Sequence, residues 1–232
     1  MSGNHRIVSP LVLIQTLLFV VLIPFLPLLI SRRWNWWAAW AYAAVSVFGF
    51  TVSRILAVRR HPDILAERAR FMQHENAKAW DRLLVSVLAM ASTSILVVAG
   101  LDTLFDWSHV SSLPTKAVSL AIILAGYALG SYALIENRFF SGMVRIQFDR
   151  GHRVVSSGPY GWIRHPGYAG GLVTYLGTPL LLDSLWALIP AVLSAIVILI
   201  RTHLEDTTLQ IELPGYSDYA RQVRFRLLPG IW

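Results

Sequence analysis

The run LLVSVLAMASTSILVVAGL at residues 83–101 holds nineteen consecutive residues without a charged side chain. A helix of that length rises about 28 Å at about 1.5 Å per residue, close to the roughly 30 Å hydrocarbon core of a bilayer. Arg82 and Asp102 stand directly at its two ends, so the segment reads as a membrane span. Outward from it, five further apolar segments of this kind are predicted at about 8–30, 35–57, 117–136, 168–183 and 185–203. The segment 168–183 is short and carries Gly177 and Pro179, which predicts that the last two segments form a tight helical hairpin turning at Asp183 and Ser184. The N-terminal segment resembles a signal peptide, but it runs past signal length without a small-x-small cleavage site, and is read as an uncleaved span.

Composition agrees with this class. Apolar residues make up 55% of the 232 and charged residues only 14%, against about 45–50% and about 25% in soluble chains. Such hydrophobicity excludes a disordered chain. The absence of cysteine excludes a disulfide framework and thiolate metal chemistry. The net charge of +7 lies between apolar segments, where anionic lipid headgroups are nearer partners than nucleic acid. Seventeen of the twenty Lys and Arg fall before the first span, from Arg54 to Arg82, from Arg138 to Arg164, or from Arg201 to Arg226. The positive-inside rule therefore places both termini and the two long basic connections in the cytoplasm, with Arg32 and Arg33 dissenting. The nine tryptophans lie near span ends or in connections and read as interface anchors. Gly126 and Gly130 form a small-xxx-small pair expected to bring two helices close together.

With about half the chain in spans, the remaining pieces are too short for a separate nucleotide-binding domain. No two glycines are separated by a single residue, so the G-x-G core of a dinucleotide loop is absent. Any chemistry must come from helix ends and short loops. The richest loop runs through Glu136-Asn137-Arg138, Gly151-His152-Arg153-Val154-Val155 and Gly158-Pro159-Tyr160-Gly161-Trp162-Ile163-Arg164-His165-Pro166-Gly167-Tyr168. Pro166 suits the first position of a helix, whose N-terminal N–H groups favour an anionic ligand group. The second feature is Arg201-Thr-His203-Leu-Glu205-Asp206. Arg201 and Glu205 share a helix face, a spacing that allows them to pair or to face a cavity beside Arg164 and His165, where carboxylates and cations together would suit a zwitterionic ligand.

The ordered set Gly158-Pro159-Tyr160, Arg164-His165-Pro166-x-Tyr168-x-Gly170, Arg201-x-x-x-Glu205-Asp206, Gly215-Tyr216-x-x-Tyr219 and Arg226-Leu227-Leu228-Pro229-Gly230 resembles the C-terminal half of the isoprenylcysteine carboxyl methyltransferase family. The family usually has two consecutive glutamates where this chain has Glu205-Asp206, which leaves the role of Asp206 open. The resemblance implies an all-α integral membrane protein of about six transmembrane helices with a cytoplasm-facing cofactor pocket. It forms a single membrane domain, 1–232, with N-terminal spans in 1–136 and a catalytic half in 137–232. It further implies a membrane-embedded S-adenosylmethionine-dependent methyltransferase acting on a lipophilic or lipidated acceptor, in contact with membrane lipids, in a bacterial inner membrane, and without nucleic acid or metal. The cofactor-binding residues expected are His152, Val154, Val155, Gly158, Tyr160, Arg164, His165, Pro166, Tyr168 and Glu205, with Trp162 a further aromatic wall. Arg201, Glu205 and Arg164 are expected to be catalytic, either arginine orienting an acceptor carboxylate through two parallel hydrogen bonds. Methylation of a phospholipid amine or a thiol, an NADPH-dependent membrane reductase, and a non-enzymatic scaffold are the alternatives.

Overall fold

The computed structural model describes residues 20–69, 76–109 and 112–232, and among these every regular element is helical. A 3-10 turn at Ile23–Phe25 leads into α1 (Leu26–Ser31). Then come α2 (Trp37–Arg60), the short α3 (Ile64–Ala69), α4 (Ala79–Phe105) and α5 (Leu113–Glu136). The chain closes with α6 (Pro166–Leu181), α7 (Leu188–Glu212) and α8 (Tyr216–Gln222).

Four helices, α2, α4, α5 and α7, are long and apolar enough to cross a membrane, with 24 to 27 residues each. Only 28–33% of their most apolar windows is buried inside the molecule. The rest of that apolar surface, Phe48, Leu83, Met90 and Ile189 among it, faces outward, which requires a hydrocarbon solvent. Of the six spans expected, four are present as helices of spanning length among the described residues. Most of the first predicted segment lies outside the described residues. The fifth appears as α6, whose 16 residues rise only about 24 Å, less than a full hydrocarbon core.

The predicted hairpin is present. Asp183 takes a left-handed conformation, φ 57°, and the turn between α6 and α7 is tied to the end of α4 through Asp102. That carboxylate is fully buried and accepts from Ser108 N at 2.8 Å, Ser108 Oγ at 2.6 Å and Ser184 Oγ at 2.5 Å. Lys116 Nζ reaches Asp183 Oδ2 at 2.9 Å. Around this end, Leu28, Ala38, Ala39, Ile95, Leu96, Ile123, Leu181 and Ala191 make the largest apolar core.

The contact between α5 and α6 relies on glycine. A Cβ at Gly126 would lie 2.6 Å from Gly170 O, and one at Gly170 would lie 2.5 Å from Gly126 O and 2.9 Å from Gly130 N. Gly126 thus packs closely as expected, facing Gly170 on the opposite helix, whereas a Cβ at Gly130 would meet nothing within 4 Å. This close approach fixes the start of α6 against α5.

Candidate functional site

At the basic end of the helices, the loop 137–165, the start of α6, the end of α7 and α8 enclose a cavity of about 230 Å³. The loop has little regular structure and is held by side chains. Gln147 Nε2 donates to Phe139 O at 2.7 Å, and Phe139 N to Asn137 Oδ1 at 2.8 Å. Asp63, just before α3, receives Arg138 Nη2 and Arg150 Nη2, both at 2.8 Å. Partial burial would raise the Asp63 carboxyl, but these two guanidinium groups outweigh it and hold it at about 2. Val154 and Val155 line the cavity without forming a strand.

Two buried carboxylates frame the cavity. Asp81, in the first turn of α4 where the helix dipole favours a negative charge, is fully buried. It accepts Arg201 Nε at 2.7 Å and Arg201 Nη2 at 3.0 Å, and its Oδ2 also accepts Val144 N at 2.6 Å. Arg201 Nη2 donates in addition to Gly142 O at 2.8 Å. One carboxylate thereby joins α4, α7 and the loop. The pairing of Arg201 with Glu205 allowed by their spacing does not form.

Asp206 is the second hub and is likewise fully buried. It accepts Arg164 Nε at 2.7 Å and Nη2 at 3.0 Å, Arg226 Nε at 2.9 Å, Tyr216 Oη at 3.0 Å and Gln210 Nε2 at 2.8 Å, with His165 Nε2 3.3 Å away. Arg164 Nη1 donates to Val223 O, Arg224 O and Ala220 O at 2.8, 3.0 and 3.3 Å, satisfying carbonyls in the last turn of α8 and just beyond it. Arg164, expected to hold a ligand, lines the cavity, while its Nε, Nη1 and Nη2 each donate to Asp206 or the backbone. The open question about Asp206 receives a structural answer, since it is the clasp joining α6, α7, α8 and the C-terminal segment.

Glu205 differs from both. It is half-buried, lines the cavity, and accepts a hydrogen bond from Tyr168 Oη, with no ion pair among the described residues. The Tyr168 ring stacks on His165, centroids 5.7 Å apart and 12° from parallel, and carries the Arg201 guanidinium 5.2 Å from its centroid. Tyr160, Tyr216 and Tyr219 add an aromatic wall. Tyr219 Oη donates to Tyr160 O at 2.7 Å, and the rings of Tyr216 and Tyr219 meet edge to face at 5.4 Å. Burial pushes all three phenols well above their ordinary value, so they act as neutral walls. His152 packs on Phe139 at 4.6 Å, and its Nδ1 accepts Gln147 N at 3.3 Å. Burial, with Arg145 and Arg150 nearby, pushes it down to about 4, so it too is neutral at physiological pH.

Of the expected residues, His152, Val154, Val155, Tyr160, Arg164, His165, Tyr168, Arg201 and Glu205 come together around the cavity. Gly158 and Pro166 do not line it. Gly158 takes φ 57° and packs against Tyr132 and Glu136, while Pro166 opens α6 at its first position. Trp162 is 69% exposed and points away, so it forms no wall. Asp81, Arg68 and the wall of Tyr216 and Tyr219 were not among the expected site residues. The two tyrosines were legible as part of the C-terminal motif, whereas Asp81 and Arg68 carry no local signal.

Residues 118–211 match the family model described as the isoprenylcysteine carboxyl methyltransferase (ICMT) family. A probable protein-S-isoprenylcysteine O-methyltransferase of Oryza sativa subsp. indica is 32% identical over 66 residues, 28% of this chain and 35% of that protein. The protein-S-isoprenylcysteine O-methyltransferase of Saccharomyces cerevisiae is 33% identical over 79 residues, 34% of this chain and 33% of its own. The match thus spans about a third of the length of these curated relatives. Among solved structures, the eukaryotic intramembrane Ras methyltransferase ICMT aligns over 97% of this chain and 88% of its own, at 20% identity and a TM-score of 0.49. The resemblance read from the motifs is borne out by the family match, which covers the α5 to α7 region.

Proposed function

We propose that this protein is a membrane-embedded methyltransferase that uses S-adenosylmethionine to esterify the carboxylate of an isoprenylated cysteine or a similar lipophilic acid. The observation that carries this reading is Glu205, a half-buried carboxylate on an aromatic cavity wall whose hydrogen-bond partner is a tyrosine rather than a cation. Such a group suits an ammonium ligand. The donor set fits the cofactor: Glu205 for its amino group, His165 and the start of α6 for its carboxylate, and Tyr160, Tyr168, Val154 and Val155 with the neutral His152 for its apolar and aromatic parts. Gly158 and Pro166 shape the loop that carries them. When bound, the cofactor supplies an electrophilic methyl group on a sulfonium. An acceptor carboxylate is ionised at neutral pH, so the chain needs no general base and contributes by orientation and exclusion of water. Arg201 is assigned to orient the acceptor, and Arg164 is not.

The distribution of Lys and Arg favours both termini and the segments 58–82 and 137–166 in the cytoplasm. Segment 8–30 and α6 serve as additional membrane segments in this reading, and the short connections favour a bacterial inner membrane. The catalytic half is 137–232. A reporter active only in the cytoplasm is expected to work when fused at Trp232 and to be silent at Ser108. The opposite pattern would invert the orientation.

Calorimetric titration of the detergent-purified protein tests the activity class. S-adenosylmethionine should bind and NADPH should not, and Glu205→Gln should weaken donor binding by about 1.5–3 kcal/mol, the scale of hydrogen bonds to charged groups. Binding of NADPH alone would turn the reading toward a reductase.

A further inference from the structure

Arg68, on α3, lines the same cavity as Arg201 and Tyr168. Its Nη1 is buried and has no hydrogen-bond partner among the described residues. A guanidinium donor left unpaired away from water is costly, because its desolvation is not compensated. Arg201 also has a donor left over, though not a buried unpaired one. Its Nε and Nη2 are taken by Asp81 and Gly142 O, while Nη1 makes no hydrogen bond among the described residues. Burial and the nearby Arg201 charge lower Arg68 to about 10, so it remains a cation at neutral pH, close enough to a second cation to be repelled by it. Asp81 neutralises Arg201, whereas Arg68 brings to the same cavity a buried donor with no partner among the described residues, and an anion placed there would satisfy it.

The place of that anion follows from α7. Arg201 precedes Glu205 by four residues, about 6 Å along a helix, on the side of the apolar span. Tyr168 lies between them, its face toward the Arg201 guanidinium and its hydroxyl on Glu205. Along α7 the cavity wall therefore runs from the Glu205 carboxylate at its outer part to Arg201 nearer the apolar span, with the Arg68 charge close to Arg201. A ligand carboxylate held beside Glu205 belongs to the donor. One arriving on a lipophilic chain from the bilayer reaches the arginines first.

We infer that Arg68 is an acceptor-binding residue which, together with the free Nη1 of Arg201, seats the carboxylate of the lipophilic acceptor. This rests on the methyltransferase reading for the identity of the acceptor, while the anion seat itself rests on the cavity geometry.

The experiment compares N-acetyl-S-farnesylcysteine with its carboxamide, which has the same apolar chain and no charge, by competitive binding to the full-length protein in neutral detergent. Wild type should prefer the acid by tenfold or more. Arg68→Gln and, as a second variant keeping an apolar stem, Arg68→Met should each reduce that preference to less than about threefold. Both should leave the dissociation constant for S-adenosylmethionine within about twofold. A merely structural arginine would not change the acid-to-amide ratio selectively. The inference is overturned if wild type shows no preference, if either folded variant keeps it, or if the loss appears in donor binding instead. It is also overturned if phosphatidylglycerol added to the micelles abolishes the wild-type preference, which would assign the seat to a lipid headgroup. Failure of the methyltransferase reading is separate: the acid would be preferred through Arg68 while S-adenosylmethionine does not bind.

Discussion

Asp81 and Arg201, 120 positions apart, meet in a two-point hydrogen-bonded pair of 2.7 and 3.0 Å between the start of α4 and the middle of α7. Both are buried, and the second oxygen of Asp81 also fixes the loop through Val144 N. Arg164 and Asp206 repeat the arrangement across the cavity, so its two sides are set by paired charges rather than by apolar packing.

Removing one partner of such a buried pair leaves the other charge uncompensated, at a cost of about 3–5 kcal/mol. Asp81→Asn and Asp206→Asn should therefore lower the denaturant resistance of the purified protein by about that amount. Glu205→Gln should leave it nearly unchanged, because Glu205 lies in no ion pair among the described residues. Equal losses at Glu205 and Asp206 would contradict the division of roles between these adjacent carboxylates.

The glycine contact between α5 and α6 predicts opposite outcomes at two neighbouring positions. Gly170→Ala places a methyl 2.5 Å from Gly126 O, forcing backbone apart. It should destabilise by about 1–3 kcal/mol, the usual scale for overpacking. Gly130→Ala meets nothing within 4 Å and should be neutral or slightly stabilising through reduced backbone freedom. Thermal unfolding in detergent distinguishes the two.

His152 makes stability depend on pH in a defined window. Its folded value of about 4 lies below the ordinary value of about 6.5, so the unfolded chain binds the proton more readily. Stability is therefore complete above about pH 6.5 and declines as pH falls toward 4. Asp63, held at about 2, contributes a loss only below its ordinary value near 4. Denaturation midpoints measured between pH 7 and 4.5 should fall in wild type, and fall less in His152→Gln. Parallel curves would remove His152 as the cause.

The sequence alone determined what depends on local order. Uncharged runs of span length, Pro166 at a helix start, the turn at Asp183 and Ser184, and the order of the loop and α7 motifs need no distant partner to be read. Tertiary structure decided what each charged residue does. Successive residues of a helix are about 100° apart around its axis, so Glu205 and Asp206, equivalent carboxylates in the sequence, face an open cavity and a closed clasp. The i, i+4 spacing allowed Arg201 to pair with Glu205, yet Asp81 arrives from α4 with the bidentate geometry and takes that guanidinium. Arg68 reads as one more basic residue among seven between Arg54 and Arg82. Only the packing of α3 against the cavity withdraws its donor from water without supplying a partner among the described residues.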